Sequence, residues 1–177
     1  MFDKLDKIQY FPVYDELLGN KKEQIRKVME IGIGSTNPSY PWNMNFWLYT
    51  QPTYRPGDSL RAWRDYFPNA TIYGQNINPA TVICEDRILT RCADSTQTVA
   101  FSEETFDLII DDGCHNFESQ IATFKNFWPH LAENGIYVIE DILDPRLYQL
   151  DTCQVLPFPH TIYDVSNNQA HMIVIGK

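Results

Sequence analysis

The chain has 177 residues, enough for one domain with its own apolar core and no need of disulfide or metal staples. Hydrophobic residues make up 44% and aromatic residues 14%, which excludes an intrinsically disordered chain. The formal net charge of −9 disfavours nucleic acid and anionic membrane surfaces as partners, and suits a cation or a positively charged cofactor.

Four cysteines, Cys84, Cys92, Cys114 and Cys153, form no CxxC pair, so a reduced setting is expected rather than a disulfide scaffold. The opening MFDKLDKIQYF has no signal-like apolar core, and no apolar run approaches transmembrane length. The resulting expectation is a cytoplasmic protein.

Taken in chain order, residues 1–26 read as a helical lead-in, and Lys27–Gly34 (KVMEIGIG) as a strand entering a glycine turn. The segment 35–58, rich in Pro, Tyr, Trp and Asn, has no clean period; loops of that length carry function, and an active-site lid is the expectation. Within it Trp42, Phe46 and Trp47 would either stack on a ligand or pack over the sheet. Ser59–Phe67 reads as a helix that Ser59 would cap. ATIYGQNI reads as an alternating strand, RILTRCAD as a third, and FDLIIDD as a fourth covered on both faces. In ESQIATFKNFWPHL, Ile121, Phe124, Trp128 and Leu131 fall at helical spacing, with Gly135 shortly past the end. GIYVIED is a fifth strand, and HTIYDVSNNQAHMIVIGK closes the chain as two antiparallel strands around SNNQ. Strands alternating with helices, then a hairpin, predict a single α/β domain over 1–177 with a mostly parallel sheet.

Such sheets bind ligands at the carboxyl ends of their strands. Asp112 ends one strand and Glu140 and Asp141 the next, and a helical crossover makes the two strands parallel neighbours about 4.8 Å apart. Carboxylates gathered so closely repel one another, and a divalent ion relieves that cost; oxygen ligation suits Mg²⁺, Mn²⁺ or Ca²⁺. The plainer reading is that Asp111 and Asp141 cap helices or face water. His115, at the start of the following helix, is either a surface residue or a general base, since imidazole titrates close to neutral pH. Cys114, with no base or ordering acid nearby in sequence, reads as a small filler.

EIGIGS supplies GxG after a strand, but Asn37 stands where a third glycine would complete GxGxxG. The proline-rich loop that follows disfavours a pyrophosphate on a helix N-terminus, hence NAD, and favours a ligand such as S-adenosylmethionine. Asn76 stands at the end of the second strand, where an acid would hold a ribose diol. Asp94 is either the acid beside an adenosine or an ordinary turn residue.

With these residues in view the chain resembles the class I S-adenosylmethionine-dependent methyltransferases, and more narrowly the metal-dependent sugar O-methyltransferases typified by macrocin O-methyltransferase and their cephalosporin-hydroxylase-like relatives. The stretches that carry the resemblance are VMEIGIGSTNP, GDSLRAWRDYFPNATIYG, FDLIIDDGCH and GIYVIEDI, spanning roughly residues 27 to 142. It implies a Rossmann-like three-layer sandwich with a seven-stranded sheet. It implies metal ligation by Asp112, Glu140 and Asp141, with Mg²⁺ or Mn²⁺, and His115 with Asp112 as the catalytic pair. It assigns Glu30, Gly32, Gly34, Ser59, Asn76, Asp94 and Asp111 to S-adenosylmethionine. Two departures stand out: Asn76 in place of an acid, and CADSTQ where GDQSD is common.

The activity implied is O-methylation of a sugar or glycan bearing vicinal hydroxyls, by an enzyme that assembles into homo-oligomers. The alternatives are a catechol-type or other diol acceptor, and a non-catalytic cofactor-binding or interaction domain of a glycan-modifying protein. A non-haem iron oxygenase would need two histidines near the carboxylate, and only His115 lies near the acids in sequence.

Overall fold

The computed structural model describes residues 5–39, 43–45, 54–149, 156, 158–165 and 170–177. Strand β1 (Lys27–Ile31) lies inside the sheet, with β2 (Thr71–Asn76) on one side and β5 (Phe106–Asp111) on the other, both parallel to it. β4 (Ile88–Cys92) extends the sheet beyond β2, and β6 (Leu131–Ile142) extends it beyond β5, again parallel. β8 (His171–Gly176) pairs antiparallel with β6, and β7 (His160–Asp164) antiparallel with β8. With β3 (Cys84–Glu85) at one edge, the order is β3-β4-β2-β1-β5-β6-β8-β7.

The sheet therefore has eight strands, one more than the resemblance implies. The addition is β3, two residues (Cys84–Glu85) folded back on β4 through a turn in which Arg87 adopts φ +55°. β2 does not alternate as expected: Ile72 to Gln75 are all buried, because strands flank it on both edges and helices cover both faces. The SNNQ segment at 166–169, the aromatic residues Trp42, Phe46 and Trp47, and Cys153 lie outside the described residues.

Helices cover both faces, giving three layers. α1 (Leu5–Leu18) brings Tyr10, Tyr14 and Leu18, four residues apart and so on one face, onto the side lined by Val28, Leu108, Ile110 and Val138. α2 (Asp58–Tyr66) joins them through Leu60 and Trp63, the indole ring meeting Tyr14 edge-on at 4.7 Å. α3 (Phe117–Phe127) buries Phe124 and Phe127 on the opposite side, against Met29, Ile109, Tyr137 and Ile139. Full burial of side chains of this size stabilises the fold by roughly 1.5–3 kcal/mol each. Between α3 and β6 runs a short 3₁₀ turn, Trp128–His130, and β6 begins at Leu131; Gly135 is thus a buried strand residue, not a helix terminator.

Two helix starts differ from expectation. α2 is capped by Gly57 at φ +81°, and Ser59 sits inside the first turn, where its hydroxyl serves another purpose. α3 is capped by Asn116, whose Oδ1 accepts from the Ser119 N–H at 2.9 Å, so His115 precedes the helix. α4 (Arg146–Gln149) is a single turn. No helix among the described residues is long and apolar enough to cross a membrane.

Candidate active site

The sheet's hydrogen bonding continues past its strands into the site. Gly32 N–H donates to the Gln75 carbonyl at 2.9 Å, and Asp112 N–H donates to the Ile31 carbonyl at 2.9 Å. The glycine turn is thereby tied to β2, and the acidic tip of β5 to β1. Gly32 has φ +90°, and a β-carbon there would lie 2.0 Å from the carbonyl oxygen of Asp112, a position only glycine can fill. Gly34, at φ +74°, is overlain by Tyr54, whose hydroxyl would meet a β-carbon at 2.1 Å.

At the ends of β5 and β6, Asp112, His115 and Asp141 each present one ligand atom, all within 4.8 Å of one another, and all three are partly exposed. His115 Nε2 lies 3.7 Å from Asp141 Oδ2. Its Nδ1 is buried and has no hydrogen-bond partner among the described residues, so Nε2 is the nitrogen that an incoming molecule can meet. The two carboxylates suit a hard divalent cation, whereas imidazole is the ligand of softer metals, so Asp112 and Asp141 fit Mg²⁺ or Mn²⁺ with His115 beside them.

Glu140 is fully buried and outside that group of three. Its Oε1 accepts from the Tyr14 hydroxyl at 2.6 Å, and Gln120 Nε2 donates to its carbonyl at 3.1 Å. Asp141 has φ +52°, in a stretch where the β6–β8 register shifts between Ile139 and Ile142. The Tyr10 hydroxyl donates to Asp141 Oδ1 and accepts from the Asp141 N–H at 3.2 Å. Burial and these carboxylates push the Tyr10 and Tyr14 phenols well above their usual range, so both remain hydrogen-bond donors.

On the same face as Tyr14, Glu30 is buried and its Oε1 accepts from the Ser59 hydroxyl at 2.5 Å. Burial, then the fields of Asp112, Asp58 and Glu30, raise the Tyr54 phenol also, and its hydroxyl lies over the glycine turn at Gly34. Asn76, the last residue of β2, accepts weakly from the Asn78 N–H at 3.5 Å. Asp94, just past β4, accepts through Oδ1 from the Thr96 N–H at 2.9 Å and hydroxyl at 2.7 Å, the bonding of a turn aspartate.

Asp111 differs from its neighbour Asp112. The two side chains point to opposite faces, and Asp111 is buried under α3, where Oδ1 accepts from the Gly113 N–H at 3.2 Å. Burial pushes its carboxyl up to about 8, the nearby Asp112 and Glu140 charges adding to the effect and the Gly113 N–H opposing it.

Four polar residues that the sequence reading passed over belong to this region: Tyr10, Tyr14, Tyr54 and Gln120. The four-residue repeat of Tyr10, Tyr14 and Leu18 marks a buried face, but nothing in the spacing says that the hydroxyls reach β6.

A Rossmann-like sheet with a glycine turn after β1, Asn76 after β2 and an acidic, histidine-bearing tip on β5 and β6 defines a methyltransferase-type fold. A family described as a methyltransferase domain matches residues 45–142, more than half of the chain, and the chain belongs to that family. It is 33% identical over 138 residues to the 8-demethyl-8-(2-methoxy-alpha-L-rhamnosyl)-tetracenomycin-C 3'-O-methyltransferase of Streptomyces olivaceus, covering 75% of this chain and 32% of that one. It is 32% identical over 138 residues to the mycinamicin VI 2''-O-methyltransferase of Micromonospora griseorubida, covering 75% of this chain and 31% of that one. The chain spans about a third of the length of these curated relatives. Its fold matches the MycE methyltransferase of the mycinamycin biosynthetic pathway, solved in complex with Mg and SAH, at TM-score 0.65 and 23% identity over 93% of this chain and 48% of that one.

Proposed function

We propose that this chain is the catalytic domain of an S-adenosylmethionine-dependent, divalent-metal-assisted O-methyltransferase acting on a sugar hydroxyl. The observation that carries this reading is the convergence of Asp112, His115 and Asp141 within 4.8 Å, on the sheet edge where the Gly32 turn meets the Asp112 backbone. The name of one relative, a 3'-O-methyltransferase of a rhamnosyl-tetracenomycin, supports the acceptor class. The Mg and SAH in the MycE complex support the cofactors.

Asp112 and Asp141 would hold Mg²⁺ or Mn²⁺, with Glu140 buried behind them on Tyr14, and the ion would orient the acceptor and lower the pKa of the hydroxyl that reacts. The sulfonium methyl is already activated, so the protein's task is to align the hydroxyl and remove its proton. His115 takes that proton at Nε2, because Nδ1 is buried. Gly32 and Gly34 give the turn that would receive the methionine portion of the cofactor, Asn76 and Asp94 flank the nucleoside, and Asp111 supports the Asp112–His115 turn from beneath through the Gly113 N–H. Carboxylates at Glu30, Asp112 and Glu140 favour a cationic sulfonium. The segment 35–58 would serve as the lid, and Tyr54, among its described residues, lies over the glycine turn. The acceptor is a small glycoside or glycan, and the setting is the cytoplasm.

The test is methyl transfer from labelled S-adenosylmethionine to a rhamnosyl acceptor with free vicinal hydroxyls, with Mg²⁺ and with EDTA. Metal-dependent labelling supports the reading; calorimetry showing no heat with S-adenosylmethionine overturns it. That second result would favour the non-catalytic module, to which the amide of Asn76 and the turn bonding of Asp94 also point.

A further inference from the structure

α1 does more than cover the sheet. It precedes the span matched by the methyltransferase family, yet its Tyr10 reaches across 131 residues of chain to the acidic end of β6. One hydroxyl there makes two bonds to one residue, accepting from the Asp141 N–H at 3.2 Å and donating to Asp141 Oδ1. The main chain it holds is in the left-handed region, at φ +52°, which most L-residues adopt only under constraint. Tyr10 is 3% exposed, so no water competes easily for the hydroxyl. One turn further along α1, Tyr14 repeats the device by donating to one oxygen of Glu140 at 2.6 Å.

The consequence concerns how Asp141 can bind. With one lone pair of Oδ1 engaged by Tyr10, Oδ2 is the oxygen found 3.7 Å from His115 Nε2. A carboxylate held in this way is a one-oxygen ligand. Calcium favours six to eight ligands and commonly takes carboxylates by both oxygens, whereas magnesium takes six at short range with one oxygen each. We propose that Tyr10 is a positioning residue that fixes Asp141 as a one-oxygen ligand and so biases the centre toward Mg²⁺ or Mn²⁺ over Ca²⁺. This rests on the metal-centre reading above.

The experiment is calorimetric titration of the whole protein and of Tyr10→Phe with Mg²⁺ and with Ca²⁺, alongside S-adenosylmethionine binding and the melting temperature of the metal-free protein. Loss of an outer hydroxyl that orients a ligand typically weakens metal affinity by about 10- to 100-fold. The expected result is a fall of about tenfold or more in the Mg²⁺-to-Ca²⁺ affinity ratio, with S-adenosylmethionine affinity unchanged. A variant merely loosened would lose both metals equally, and an unchanged ratio overturns the proposal. Wild-type protein that takes up neither metal removes the metal centre itself, which is a different failure. A crystal structure of the wild type with Mn²⁺ provides a check independent of the variant: Asp141 bound through both oxygens overturns the assignment.

Discussion

Gly32 and Asp112 touch through their main chains: a β-carbon on the glycine would stand 2.0 Å from the aspartate's carbonyl oxygen. The turn assigned to the cofactor and the tip assigned to the metal are thus parts of one junction. Gly32→Ala adds a methyl to that contact at φ +90°, and the expected loss of stability is about 2–5 kcal/mol, from left-handed strain together with overpacking. Urea denaturation checks it; a variant within about 0.5 kcal/mol of the wild type contradicts the close approach.

His115→Ala is expected to lower methyl transfer by about 10²–10⁴-fold, the usual contribution of a positioned base. Asp112→Asn should weaken metal binding as well as transfer. Far-ultraviolet circular dichroism and the melting temperature should be those of the wild type for both variants, since both side chains are partly exposed. Wild-type rates in either variant, or undiminished rates in EDTA, would remove the proposed mechanism.

The buried pair of Ser59 and Glu30, joined at 2.5 Å, lends itself to a double-mutant cycle. Ser59→Ala strips a donor from a buried carboxylate and should cost about 1–3 kcal/mol. With Glu30→Gln in the background the same change should cost markedly less. Additive losses across the cycle would show that the bond carries no coupling.

Away from the site, Arg61 forks onto Glu85, with Nη2 2.5 Å from Oε1, and this hydrogen-bonded pairing holds the Glu85 carboxyl below its usual value. A carboxyl lowered in the folded state adds stability above its unfolded-state pKa and loses it as pH falls through the folded-state value. Glu85→Gln should therefore cost up to about 1 kcal/mol near pH 7, as befits a pair in partial contact with solvent, and progressively less in acid as the folded-state carboxyl is protonated. Thermal melts across that range decide the matter: a deficit that persists in acid would show that the charge is not responsible.

Much of the architecture could be read before the coordinates. FDLIIDD and GIYVIED are apolar runs that stop at acids, and such runs mark interior parallel strands whose ends share an edge. Asn76 at the end of β2 and the glycine turn after β1 followed from the same pattern of strands. Other features depend on contacts that no local pattern encodes. Ser59 has the chemistry of a helix cap, but Gly57 at φ +81° starts the helix two residues earlier and frees the hydroxyl for Glu30. β2 contains polar residues at alternate places, yet Gln75 is buried because its amide bonds Thr98 O at 2.9 Å and Ala100 N at 2.8 Å. The opposed directions of Asp111 and Asp112 do follow from strand alternation, though only once the strand's end is known. The reach of Tyr10 and Tyr14 to β6 is a matter of tertiary packing alone.

The twisted main chain at residue 141 also restricts what can occupy that place. Among side chains, asparagine and aspartate accept such a conformation most readily, and of these only aspartate carries a negative charge. A glutamate, one methylene longer, would extend the arm but suits the conformation poorly. The length of that arm, and hence how deep an ion can sit beneath it, is settled by the curvature of the strand rather than by the ion's own preference.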